Sequence, residues 1–318
     1  MRTCRSGSPC ARIRGRPGAA VLALTLVSLL VPLGSTAAQP DRAASTPGPY
    51  HWPVMPFDSP HPVRGYLDDP RVGTAEGAQA FHIGIDISVG PQTPVYAIES
   101  GVVRFIDARA LAVASGARTL QYWHLAAVVR NGQYVRRHAL LGLTLPTFNH
   151  LHLSEVLHRR YVNPLRPGAL TPFEDHTTPT IRALTFSRGG NTLQAGAVSG
   201  TVDVVVDCFD TAADVQPSPW PVTPAVIRWR LLGGGEQAGM WHTAVDFRSG
   251  VLPSSRFASV YAPGTRANRR GRPGRFLFYL ARGWRSADVP NGPYVLEVAA
   301  GDMRGNTGVQ LFSFRVAN

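Results

Sequence analysis

Two short stretches hold the residues best suited to chemistry: Phe81-His82-Ile83-Gly84-Ile85-Asp86 and His150-Leu151-His152. Two imidazoles and one carboxylate are a normal three-point set for a catalytic Zn²⁺ whose fourth position stays open to water. On a β-strand, residues i and i+2 share a side, so His150 and His152 face one cleft while Leu151 packs behind them. His82 and Asp86 need a different geometry. Four extended residues span roughly 13 Å, too far for one ion, and Ile83 and Ile85 around a glycine disfavour a helix. A bend at Gly84 is the expected solution. Neither stretch is specific alone, because a chain with 10 His and 20 acidic residues produces such spacings by chance.

The elements around these residues read as strands. From 63 to 177 the apolar runs are short and β-rich (Val95 to Ile98, Val102 to Ile106, Leu151 to Leu157), separated by Gly and Pro, with no helical periodicity over eleven residues. After Asp175 the texture changes. Ile181 to Phe186, Thr201 to Cys208, Ala225 to Leu232, Thr243 to Phe247, Phe276 to Leu280, Tyr294 to Val298 and Leu311 to Val316 are strand candidates between turn residues. Their spacing suits an immunoglobulin-like β-sandwich over 178–318. Gly301-Asp-Met-Arg-Gly-Asn306 is a tight turn before the last of these strands. The expected fold class is all-β throughout.

The order of motifs in the first region resembles the LytM/lysostaphin-type zinc endopeptidases. The residues are His82-Ile-Gly-Ile-Asp86, Gln92-Thr-Pro-Val-Tyr-Ala97, Gly101-Val-Val103, Tyr122-Trp-His-Leu125 and His150-Leu-His152 with Glu155 beyond, over about residues 63 to 175. The resemblance implies a compact β-sheet domain with a groove over one sheet, a Zn²⁺ cofactor held by His82, Asp86 and His152, and His124 and His150 as the catalytic pair. It also implies peptidoglycan peptides as substrate. Two stretches depart from the pattern. Gly142-Leu-Thr-Leu-Pro-Thr-Phe-Asn149 replaces a glycine-rich loop before the second histidine pair, and Ala108 to Thr119 replaces a Gly-Tyr-Gly-Asn stretch. Zinc binding is therefore better supported than cleavage. A catalytically inactive module that binds wall peptide or regulates another hydrolase stands as the alternative.

The ends and the composition set the context. Residues 1–38 read as a secretory signal: five arginines, the apolar run Ala19 to Leu33, then Thr36-Ala37-Ala38. Residues 39–62 are rich in Pro, Ser and Ala and read as an N-terminal arm, with His51 and His61 as solvated loop histidines. The formal charge of +12 falls to +7 once the signal leaves, because five arginines and no acid precede residue 39. Every basic residue is arginine, which suits anionic envelope polymers. No nucleic-acid motif is present, and no later segment is apolar enough to span a membrane after signal cleavage. Cys4 and Cys10 leave with the signal, so Cys208 stands alone and reads as a buried thiol. His138, His158 and His242 have no partner at ligand spacing. Trp220, Trp229, Trp241 and Trp284 read first as core residues and second as sugar-stacking platforms.

Overall fold

In the computed structural model, residues 48–72, 79–211, 220–233, 239–269 and 271–318 are described. The expected signal segment and the first part of the arm lie outside them. The described chain is all-β apart from one four-residue α-helix and three short 3-10 turns. No described helix is long and apolar enough to cross a membrane.

The first half folds around one eight-stranded sheet. Its order is Val63–Gly65, Ile85–Ser88, His150–Leu157, Arg118–Trp123, Ala110–Ser115, Gly101–Asp107 and Tyr134–Val135, with Arg160–Val162 paired to His150–Leu157. A second sheet of Pro94–Tyr96, Leu140–Thr144 and Leu125–Ala127 shares its apolar core. The period-2 pattern determines which face is which. Ile85, Ile87, Leu151 and Leu153 point into that core and are fully buried, so Asp86, His150 and His152 take the opposite face. The described part of the arm belongs to the same core: Tyr50, Trp52 and Val54 are buried in it.

Glu155 also points inward and is 0% exposed. It accepts hydrogen bonds from Tyr50 Oη at 2.7 Å, Arg118 Nε at 3.0 Å and Arg166 Nη1 at 2.6 Å. A buried carboxylate persists only when paired in this way, and the network ties the arm to the strand that carries the histidines.

All seven strand candidates beyond residue 178 are strands, most of them longer than their apolar runs suggested. They form two antiparallel sheets. One joins Thr180–Arg188, Thr201–Thr211 and Leu277–Arg285 with two short strands, and the other joins His242–Asp246, Val226–Gly233, Gly292–Gly301 and Thr307–Val316. Phe186, Val204, Val206, Cys208, Ile227, Phe278, Val298 and Phe314 share the apolar cluster between them. Cys208 is buried and free there. Phe81, next to His82, packs into this second cluster against Phe257, with ring centroids 5.3 Å apart.

Candidate metal centre

Two adjacent strands and one bend bring the three predicted ligands together. Ile85–Ser88 and His150–Leu157 are antiparallel partners with His152 directly opposite Asp86. Directly opposed residues on one face of such a pair have Cβ atoms about 5 Å apart, close enough for their side chains to meet. His82 arrives from outside the sheet across a bend at Gly84. A Cβ at position 84 would lie 2.2 Å from the Leu153 carbonyl oxygen, so only glycine lets the bend approach the neighbouring strand.

The donor atoms converge tightly. His82 Nε2 lies 2.7 Å from His152 Nδ1, and each lies 3.1 Å from Asp86 Oδ1. All three residues are buried, at 4%, 9% and 8% exposure for His82, Asp86 and His152. Each has its other polar atom held from behind. His82 Nδ1 donates to the Tyr66 carbonyl at 2.8 Å, which leaves Nε2 with a lone pair. Arg71 Nη2 donates to Asp86 Oδ2 at 2.7 Å, freeing Oδ1. His152 Nε2 meets Ser154 Oγ at 2.8 Å, a partner that accepts an Nε2 proton and so frees Nδ1.

This is how outer partners orient metal ligands. Donors about 2.0–2.1 Å from a tetrahedral Zn²⁺ would be about 3.3 Å apart. The two edges to Asp86 need about 0.2 Å of opening and the His82–His152 edge about 0.6 Å, shifts within the reach of side-chain rotation, so the residues fit the ion.

His150 and His124 stand at the rim of the same cleft. His150 Nε2 is 3.6 Å from Asp86 Oδ1, and its ring meets that of His124 edge-on at 4.7 Å between centroids. His124 has φ +68°, an unusual left-handed backbone at the point where the chain leaves Arg118–Trp123 and crosses to the smaller sheet through Leu125. Strain of this kind persists where surrounding structure over-determines it, and it gathers at functional sites. Phe148 stacks on His124 with centroids 3.8 Å apart.

Arg71, Ile83 and Trp123 complete a cleft of about 240 Å³ with the five named residues. Trp123 Nε1 and His150 Nδ1 are buried without a hydrogen-bond partner. Burial is the main reason that the histidine pKa values fall, to about 3 for His82 and to about 4 for His124 and His150, so all three are neutral at pH 7. Burial alone would raise the Asp86 pKa, but His82, Arg71 and the hydrogen bonds from the imidazoles outweigh it and hold the carboxyl ionised.

The structure therefore brings together His82, Asp86, His124, His150 and His152. Other histidines go elsewhere: His138 stacks on Phe57, His242 on Trp229, and His61 meets Trp52 edge-on. Ser154 and Phe148 were not foreseen as part of the site. Ser154 had a signal in its i+2 spacing from His152, whereas Phe148 had none, since its contact depends on the loop's path. The segment Arg64 to Arg71 supplies the Tyr66 carbonyl and the Arg71 guanidinium.

No family model and no curated protein matches the chain. Parts of it are similar to solved structures. Helicobacter pylori Csd3 shares 19% identity over 37% of this chain and 34% of that one, with a TM-score of 0.31. A zinc containing peptidase from Vibrio cholerae shares 22% over 37% and 39%, with a TM-score of 0.30. The catalytic domain of lysostaphin from Staphylococcus simulans shares 23% over 31% and 81%, with a TM-score of 0.27. The chain thus spans only about a third of the length of Csd3. At such similarity the functional reading stands on the donor geometry.

Proposed function

We propose that this chain is a zinc metalloendopeptidase that hydrolyses peptide bonds in peptidoglycan stem or cross-bridge peptides. One observation carries the reading: His82 Nε2, His152 Nδ1 and Asp86 Oδ1 converge within 3.1 Å, each with its second polar atom held by an outer partner. His82, Asp86 and His152 would hold the ion, which when bound supplies a Lewis acid that polarises a carbonyl and acidifies water.

The remaining steps belong to this chain's own side chains. His124 and His150 are neutral at pH 7 because burial lowers their pKa values to about 4, so either imidazole can accept a proton from an attacking water. The imidazolium formed then passes that proton to the leaving amine. Trp123 Nε1 and His150 Nδ1, buried without a hydrogen-bond partner among the described residues, are the polar atoms in the cleft wall left for a substrate to satisfy. The arginine-rich, apolar leader-like start at residues 1–38 supports action outside the cytoplasmic membrane, and N-terminal sequencing of protein from the native host tests it.

A second reading, a groove that binds wall peptide without cutting it, has the Phe148 stack on His124 in its favour, because that contact covers one face of the imidazole. Zinc content measured beside release of free amino groups from purified peptidoglycan separates the two. A zinc-loaded chain that cleaves neither peptidoglycan nor short bridge peptides would establish the binding module.

A further inference from the structure

Far along the sequence from the first cluster, a second set of three acidic side chains meets inside the protein. Asp175, Asp210 and Asp302 are 5%, 1% and 6% exposed, and one oxygen from each lies within 4.8 Å of the others. Asp175 lies just after the first apolar core, Asp210 near the end of Thr201–Thr211, and Asp302 in the turn before Thr307–Val316. Sequence placed that turn before the last strand but assigned it no function.

Two of the three carboxylates are held in place by local donors. Asp302 Oδ1 accepts from the backbone N–H of Arg304, Gly305 and Asn306 at 2.7–2.9 Å, and Asn306 Nδ2 donates to Oδ2 at 2.6 Å. Asp175 Oδ1 accepts from the backbone N–H of Thr177 at 3.0 Å, and its Oδ2 accepts from Tyr66 Oη at 3.3 Å. The third is different. Asp210 Oδ1 accepts from the Thr211 N–H at 2.9 Å, but Oδ2 is buried with no hydrogen-bond partner among the described residues.

The ionised form of Asp210 is the poorly accommodated one. As a carboxylate it is a buried anion beside two others. As an acid its O–H faces only the carboxylates of Asp175 and Asp302, each with an oxygen within 4.8 Å and each already accepting other hydrogen bonds. Burial first, and then Asp175 and Asp302, push its pKa up to about 9. Arg304 interacts through space with Asp175 and Asp302, but among the described residues no ion pair within 4.0 Å joins it to any of the three, and its guanidinium lies over the Phe173 ring. The neighbourhood is also short of hydrogens, because Thr177 Oγ1 has one proton and sits 2.6 Å from Asp175 Oδ1 and 2.9 Å from the Thr211 carbonyl.

We propose that Asp175, Asp210 and Asp302 form a binding site for a structural Ca²⁺ ion. An all-oxygen donor set selects a hard cation over zinc, and the loose, carboxylate-rich arrangement suits Ca²⁺ better than Mg²⁺, which needs a tight octahedron. The ion would bind three segments to one another: the exit of the first core, one sheet of the second half, and the turn into its last strand. Tyr66, whose carbonyl positions His82 and whose hydroxyl donates to Asp175, links the two clusters. The site does not depend on the peptidase reading.

The test uses the full chain, stripped with EDTA, returned to one equivalent of zinc and titrated with CaCl₂ from about 1 µM to about 5 mM. Equilibrium dialysis with radioactive calcium should show one ion per chain with a Kd of about 10⁻⁵–10⁻³ M, and Tm should climb with the logarithm of calcium above that value. Asp210→Asn should weaken binding at least about tenfold with zinc content unchanged. Its calcium-free Tm should match wild type at about pH 4 and exceed it by a margin that grows up to about pH 9, above which the wild-type carboxyl must ionise beside Asp175 and Asp302. Asp175→Asn serves as a second variant with the same expected loss. No saturable calcium binding in the wild type, an equal response to Mg²⁺, or Asp210→Asn binding as tightly as wild type would each overturn the assignment.

Discussion

The His82–Asp86–His152 and Asp175–Asp210–Asp302 clusters are alike in burial and opposite in nearly everything else. The first mixes imidazole with carboxylate, has an outer partner behind every ligand, and lines a cleft together with two further histidines. The second is all oxygen, with a single orphaned atom where the first has none among its ligands. Their titrations also run in opposite directions: burial keeps the histidines neutral, while burial and mutual repulsion favour the protonated form of Asp210. Convergence of three donors is therefore not one feature but two. Nitrogen donors beside an open cleft suit chemistry, whereas closed oxygen donors suit structure.

The contrast breaks most visibly when a ligand is removed. Asp86→Ala or His152→Ala should abolish bound zinc and all cleavage, because three protein ligands are all that an open site has. Calcium binding should be untouched, and paired metal analysis of the variants checks both halves. His124→Ala should keep near-stoichiometric zinc yet lose about 10²-fold or more in turnover, the scale of a general acid–base group. Equal loss of zinc in His124→Ala and Asp86→Ala would show that the division between holding and reacting residues is wrong.

Gly84→Ala should cost about 2 kcal/mol or more, since the new methyl meets the Leu153 carbonyl at 2.2 Å. Denaturant unfolding measures that loss, and zinc affinity should fall with it because His82 moves. Ser154→Ala should weaken zinc about tenfold while leaving the fold intact, the usual effect of removing a partner behind a ligand. Competition with a chromogenic chelator reads it.

The smallest effects are in the pH dependence of stability. For His124 and His150 the folded pKa of about 4 lies below the unfolded value of 6.5. The unfolded chain therefore binds more protons in that window, and metal-free stability should fall as pH drops through it. For Asp210 the folded pKa of about 9 lies above 3.8. Here the folded chain binds more protons, so this group's contribution should be lost as pH rises through that range in calcium-free protein. Asp210→Asn should remove a decline that runs from about pH 4 to about pH 9, so it should also steepen the histidine-driven rise between about 4 and 6.5, as thermal melts across pH would show.

The strands beyond residue 178 were legible because each alternates apolar and polar residues between turn signals, a local property. The hairpin of Ala110–Ser115 and Arg118–Trp123 was not, since Ala-Leu-Ala-Val-Ala-Ser has little intrinsic β preference and becomes a strand only by pairing on both sides. The arm read as a proline-rich segment, yet Trp52 is fully buried and donates to the Pro172 carbonyl at 2.6 Å. Composition reports average polarity and is blind to where single aromatic residues land.

Sequence by itself determined the all-β class, the facing of His150 and His152 and the bend at Gly84, which follow from period-2 geometry and residue chemistry acting over a few positions. His82, Asp86, His124, His150 and His152 are singled out together only through the resemblance to a known family. Only tertiary structure decided that Ser154, Arg71 and the Tyr66 carbonyl stand behind the ligands, that Phe148 covers His124, and that Asp175, Asp210 and Asp302 meet at all. Contacts between residues up to 127 positions apart leave no periodic trace in either partner's neighbourhood. They exist because the sheets bury their apolar faces, and the polar groups carried along must then find partners where the fold leaves them.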